Sequence, residues 1–150
     1  MEINEKIKYN KSIEQNILDL KIGNNLNGYS LITNSFKNVG INKIVPLKSA
    51  SFYLLNGIKF HPNSTLLYKD NKIIKEIDII ELYNQYKSGN QIKILNMYFE
   101  EIQIENLEYL EMPKTKYGNF VNIHCNDFSV FVPYTEKQIL IKDTLFMYLM

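Results

Sequence analysis

Between Ile92 and Val132 the chain reads IKILNMYFEEIQIENLEYLEM, then Pro-Lys-Thr-Lys-Tyr-Gly, then NFVNIHCNDFSVFV. Apolar and polar residues alternate through most of this stretch, the period-two pattern of strands with one face buried. The phase changes once: Ile102 and Ile104 fall on even positions, Leu107 and Tyr109 on odd ones. A bulge or turn near Glu105-Asn106 would absorb that change. Phe120 to Val132 reads as a hairpin turning at Asn126-Asp127. The expectation is an antiparallel sheet that the rest of the chain extends and covers.

Working outward, the strongest local signals are two further hairpins. FYLL-NG-IKF, from Phe52 to Phe60, places Asn56-Gly57 at a two-residue turn, the pair suited to two positive φ angles. LLY-KDN-KIIKEI follows, turning within Lys69 to Lys72, and His61-Pro62-Asn63-Ser64 reads as the short loop between the two. Tyr29 to Phe36 is strand-like, with a break over Lys37 to Asn42, and Pro46 limits the next short strand to an edge or a bend.

Three segments carry helical signals. Asp78 with Glu81 opens a helix over about 79–88, with Ile79, Ile80, Leu82, Tyr83 and Tyr86 as its apolar face and Gly89 as its stop. Ser12 with Gln15 is a capping box before Ile13, Ile17 and Leu20, which predicts a helix over about 13–21. Thr135 with Gln138 predicts another, reaching about Asp143, although Ile139, Leu140 and Ile141 suit a strand equally well. The terminal LFMYLM must be buried, as a last strand of this sheet, as a helical turn, or as a strand added to a partner. The expected fold class is therefore α+β: a mainly antiparallel twisted sheet of consecutive hairpins, with two or three short helices packed on it. Residues 1–150 are expected to form a single globular domain, since no repeat or low-complexity linker interrupts them.

Composition narrows the function classes. The 17 basic residues are all lysines, Ala50 is the only alanine, and Trp is absent. Ile, Asn, Lys, Tyr and Phe dominate, as expected of an AT-rich genome such as that of a low-GC bacterium or its phage. Without arginine the chain lacks the bidentate fork for guanine edges and phosphates, and at a net charge of +1 it has no global field for nucleic acid. Neither GxGxxG nor GxxxxGK[ST] occurs, nor GxSxG, HExxH or CxxC. No cofactor or metal is expected from these patterns. A charged, polar start (MEINEKIKYNKS) gives no signal-peptide core, and no apolar run approaches the roughly 20 residues of a membrane span. The expectation is synthesis in the cytoplasm, with release by a route needing no cleaved signal left open.

Few residues offer chemistry. Cys125 is the only cysteine; His61 and His124 are the only histidines. His124 and Cys125 are adjacent on an expected strand and should face opposite ways, which disfavours a direct thiol–imidazole pair. Asp127 could pair with His124 across the turn, or serve simply as a turn residue. Glu100, Glu101, Glu105, Glu108 and Glu111 form the most uneven charge feature, with no lysine before Lys114. Together with Tyr98 and Tyr109 they are the candidate protein-binding surface. The leading expectation is thus a non-catalytic protein-binding module, an accessory or inhibitory subunit whose partner is another protein. Alternatives are a binder of lipid or another apolar ligand, as in an accessory protein of a toxin complex, and a small thiol-dependent enzyme using Cys125 with His61 or His124.

Overall fold

The computed structural model describes residues 6–9, 13–16, 23, 25–112, 118–125, 127, 130–134, 137–142 and 145–148. In chain order the strands begin with β1 (Lys6–Tyr9), β2 (Ile13–Asn16), β3 (Asn25–Ser30), β4 (Ser35–Ser49), β5 (Ser51–Leu55), β6 (Ile58–Phe60), β7 (Thr65–Asp70) and β8 (Ile73–Asp78). Helix α1 (Ile79–Lys87) follows. After it come β9 (Ile94–Leu95), β10 (Glu101–Ile102), β11 (Leu107–Glu111), β12 (Gly118–Cys125), β13 (Val130–Tyr134), β14 (Ile139–Lys142) and β15 (Leu145–Tyr148).

The fold is mostly β-strand, with one short helix among the described residues, so the α+β expectation is corrected. Ile13 to Asn16, expected to open a helix, form β2 and pair antiparallel with β1; the rest of that expected helix lies outside the described residues. A short amphipathic stretch can serve either period, and pairing with β1 supplies backbone partners that an isolated turn of helix lacks. At the other end, Ile139 to Lys142 form β14 rather than a helix. Tyr134 pairs with Ile139, and Gln138 closes the intervening loop at a φ of 57°. Gln138 therefore lies in a hairpin connection, not in a helix, and Thr135 lies outside the described residues.

The long hairpin β3–β4 is the spine. Its turn covers residues 31–34, inside the stretch expected to be one strand, and Ser30 pairs with Ser35. Asn34 takes a φ of 53° there and accepts a hydrogen bond from the Tyr29 hydroxyl at 3.0 Å. β13 flanks β3 on one side and β12 flanks β4 on the other. β12 and β13, expected to pair with each other, thus stand two strands apart. The main sheet runs β10-β9-β7-β14-β13-β3-β4-β12-β15, with β8 on β7; β11-β5-β6 form a second sheet and β1-β2 a third. β15, the strand inside LFMYLM, completes its own sheet by pairing antiparallel with β12.

Burial explains why the central runs are apolar throughout. β13 is buried at every position, yet its faces go to different cores: Val130, Val132 and Tyr134 join the larger cluster, Phe131 the smaller. β14 divides the same way, with Ile139 and Ile141 in the first and Leu140 in the second. Period-two geometry delivers this division automatically, because successive side chains leave opposite faces. Gly28 on β3 permits the close crossing of β13: a Cβ there would sit 3.1 Å from the Val130 Cβ and 3.3 Å from the Phe131 carbonyl oxygen.

The Ile92–Val132 stretch is less regular than its alternation suggests. β9 and β10 are two residues each, and the phase change at Glu105-Asn106 moves the chain from the main sheet to the β5–β6 sheet. Asn56 fastens that passage. Its Oδ1 accepts the N–H groups of Glu105 (2.8 Å) and Asn106 (3.1 Å), and its Nδ2 donates to the Gln103 carbonyl (2.9 Å). Asn56 and Gly57 have φ values of 48° and 85°, the two positive angles of a type I′ turn. No described helix is long and apolar enough to cross a membrane.

Candidate functional site

Two buried polar residues, His61 and Ser64, bracket the turn His61-Pro62-Asn63-Ser64 between β6 and β7. The Ser64 N–H donates to the His61 carbonyl (3.0 Å), closing a β-turn with Pro62 at its second position, where the ring presets φ. The Asn63 N–H donates to His61 Nδ1 (3.0 Å). The Ile79 N–H donates to the Ser64 carbonyl (2.9 Å), and the Thr65 hydroxyl donates to the Asp78 carboxylate (3.0 Å), so the turn is fastened to the start of α1. On the strand side, the Tyr134 hydroxyl donates to the Lys59 carbonyl (2.8 Å), and the Tyr134 ring meets Phe60 edge-on at 5.2 Å.

Two properties of this turn bear on chemistry. His61 is only 8% exposed, and burial holds its imidazole at a pKa of about 4, so it is neutral at pH 7. Because Nδ1 accepts a backbone N–H, the proton of the neutral ring is assigned to Nε2, which is a donor. Ser64 is 2% exposed, and its Oγ has no hydrogen-bond partner among the described residues. A buried hydroxyl left unpaired costs about 1–3 kcal/mol. Polar groups kept at such a cost collect at sites of function more often than in ordinary cores.

The strands that carry the two ends of the described chain lie close by. β15 packs against β6, the strand that leads into the turn, as well as pairing with β12. β1 packs against β3 and β13, and β13 is tied to β6 through Tyr134. The His61 turn therefore stands at the end of the strand on which β15 rests, and β13 links that strand to β1.

The residues singled out in the sequence are placed apart from one another. Cys125 is fully buried in the larger core, paired in register with Ile41, whereas His124 is half-buried; the β12–β4 register shifts between the two. Asp127 forms an ion pair with Lys37. The acidic series is spread over two sheets. Glu100 turns back onto Asn96 Nδ2 (2.7 Å), Glu101 lies in β10, and Glu105 sits in the turn held by Asn56. On β11, Glu108 and Glu111 leave opposite faces, and the Tyr109 ring is tilted against that of Tyr53, 5.1 Å between centroids. Tyr98 is exposed in the loop after β9. The grooves beside α1 are polar: one includes Lys87, Lys93 and Gln103, the other Glu76, Asp78 and Glu81. Sequence reasoning read His61 to Ser64 as a linking loop. The available signal was a His-Pro pair in a tight connection followed by a hydroxyl residue, which alone says nothing about burial.

No protein-family model matches the sequence, and no curated protein matches it. Solved structures do match, over nearly the whole chain. The bacterial intein-like domain from Clostridium thermocellum superposes with a TM-score of 0.72 at 13% identity, covering 91% of this chain and 93% of that one. A DnaB intein from Synechocystis sp. PCC 6803 gives 0.66 at 12%, covering 95% and 96%. A splice-inactive variant of the AceL NrdHF class 3 split intein gives 0.62 at 14%, covering 95% and 96%.

The fold is the intein fold. The expectation of a non-catalytic accessory or binding module, with no enzymatic role, is corrected by these neighbours, which are inteins, protein-splicing domains, and an intein-like domain. At such identities the likeness concerns the fold.

Proposed function

We propose that this chain is an intein-like processing domain that rearranges a peptide bond of its own polypeptide in cis, with the His61 turn as its polarising centre. The observation that carries this reading is the buried, neutral imidazole of His61, held by Asn63 in the Nε2–H form at the end of the strand on which β15 rests. Acyl transfer at a peptide bond builds negative charge on the carbonyl oxygen, and a preorganised donor in a site shielded from water stabilises that charge. A neutral imidazole donor can fill that role without first being protonated. Ser64 Oγ, buried in the same turn and without a partner among the described residues, is available as a second donor.

The overall architecture supports the same reading, since it is shared with inteins over more than nine-tenths of both chains. Cys125 is not assigned the nucleophile's role: a thiolate nucleophile needs access and an electropositive setting, and Cys125 is buried among Val39, Ile41 and Val130. The polypeptide acted on is the one into which β1 and β15 lead.

The test is to express the chain between two folded reporter domains and follow the fusion by denaturing gel over time. Release or ligation of the reporters, slowed strongly by His61→Ala, supports the proposal. A fusion that is folded and remains intact contradicts it.

A further inference from the structure

Asn56-Gly57 combines two features that meet at one bond. Glycine after asparagine leaves the main-chain nitrogen unobstructed, so that the Gly57 nitrogen can reach the Asn56 side-chain carbonyl carbon. In the folded hairpin, however, the Asn56 carboxamide is held by three hydrogen bonds, to the Glu105 N–H, the Asn106 N–H and the Gln103 carbonyl. A fourth bond, from the Asn56 N–H to the Asn106 carbonyl (2.8 Å), fixes the main chain beside it.

We propose that Asn56 is a site of self-modification by deamidation, gated by this clamp, and that its conversion releases the passage between β10 and β11. In the reaction the Gly57 nitrogen bonds to Asn56 Cγ and the Cγ–Nδ2 bond breaks. The proton from the Gly57 nitrogen leaves with the departing group as ammonia. Water then opens the resulting five-membered imide at either carbonyl, giving aspartate or isoaspartate, for a net exchange of ammonia for water. No oxidant, cofactor or second protein is required.

Neither product rebuilds the clamp. In aspartate the Nδ2 donor is replaced by an anionic oxygen facing the Gln103 carbonyl oxygen. In isoaspartate the main chain runs through Cβ and Cγ, so the oxygen that accepted Glu105 and Asn106 no longer stands opposite them. The turn after β10, which also receives the Tyr86 hydroxyl at the Glu105 carbonyl, would lose the fastening that joins the main sheet to the β5–β6 sheet. This inference is independent of the processing reaction at His61.

Folded protein and a peptide of residues 52–60 would be incubated side by side in mildly alkaline buffer, with conversion at Asn56 measured by peptide-mapping mass spectrometry. Local opening governs access in the folded chain, so conversion should be at least roughly tenfold slower than in the peptide, and sub-denaturing urea should narrow the gap. Hydrogen exchange on the converted fraction should show faster exchange of the Glu105 and Asn106 amides. Equal rates in protein and peptide would overturn the gating. Unchanged protection of those two amides after conversion would overturn the release.

Discussion

The Asn63 backbone N–H donates to Nδ1 of His61 at 3.0 Å, and that bond fixes which nitrogen of a buried imidazole keeps its proton. Protonating Nδ1 would turn two donors on each other beside a buried ring, so acid opposes the folded turn twice: through the burial of His61 and through this clash.

The sign of the pH dependence follows. His61 has a pKa of about 4 in the folded chain against an ordinary value of 6.5, so the unfolded chain binds the extra proton first. The contribution is fully present above about pH 6.5 and is lost as pH falls toward 4. Thermal unfolding followed from pH 7.5 to 4 should show a falling Tm, with a loss on the order of 2 kcal/mol ascribable to His61. In His61→Gln, where nothing titrates at this position, that part of the slope should vanish.

Ser64→Ala separates stability from chemistry. Removing a buried hydroxyl that has no partner among the described residues should leave the fold as stable as before, or more stable by about 1 kcal/mol, in urea titration. If Ser64 Oγ serves the reaction, the same substitution should slow processing in the reporter fusion. A gain of stability together with slower processing is the expected pair of results.

Gly28→Ala tests the crossing of β3 and β13. The new methyl would stand 3.1 Å from the Val130 Cβ, in a place where both neighbours belong to the buried sheet. Overpacking of this kind costs about 1–3 kcal/mol, and the fall in denaturation midpoint measures it.

Cys125 should be inert in the folded chain. Full burial predicts no alkylation by iodoacetamide under native conditions and rapid, complete reaction in guanidinium. Cys125→Ala should leave processing of the fusion unchanged.

The sequence made the local devices readable and the long-range ones opaque. Asn56-Gly57 names its turn because only a few residues tolerate two positive φ angles in succession. Asp78 to Gly89 marks α1 because its apolar face, its acidic first turn and its stopping glycine agree. The second hairpin does turn where expected, at Asn71-Lys72, with φ values of 48° and 72°. What alternation cannot state is which strand lies beside which. Phe120–Val132 looks like one hairpin because its two halves are close in sequence, yet they flank opposite sides of β3–β4. Nor does a capping-box pattern decide anything by itself, since Ile139 to Lys142, expected to continue a helix, form β14.

The site was hidden for a related reason. His61 and Ser64 are polar residues in a short loop, and nothing in the sequence reveals that the start of α1 binds the Ser64 carbonyl or that the tyrosine of a distant strand binds the strand leading into the loop. Tyr134 lies 75 residues beyond Lys59, whose carbonyl it binds. Burial converts an ordinary histidine into a neutral donor and an ordinary serine into an unpaired hydroxyl, and burial is a property of the assembled sheets.

The most direct measurement is the intact mass, over time, of the chain flanked by two reporter domains, compared with its His61→Ala counterpart at pH 7. The account predicts masses of cleaved or ligated products from the parent fusion and their strong reduction in the variant, with both proteins folded by circular dichroism. A parent fusion that is folded and keeps its full mass throughout, or a variant that processes at the parent's rate, would contradict it.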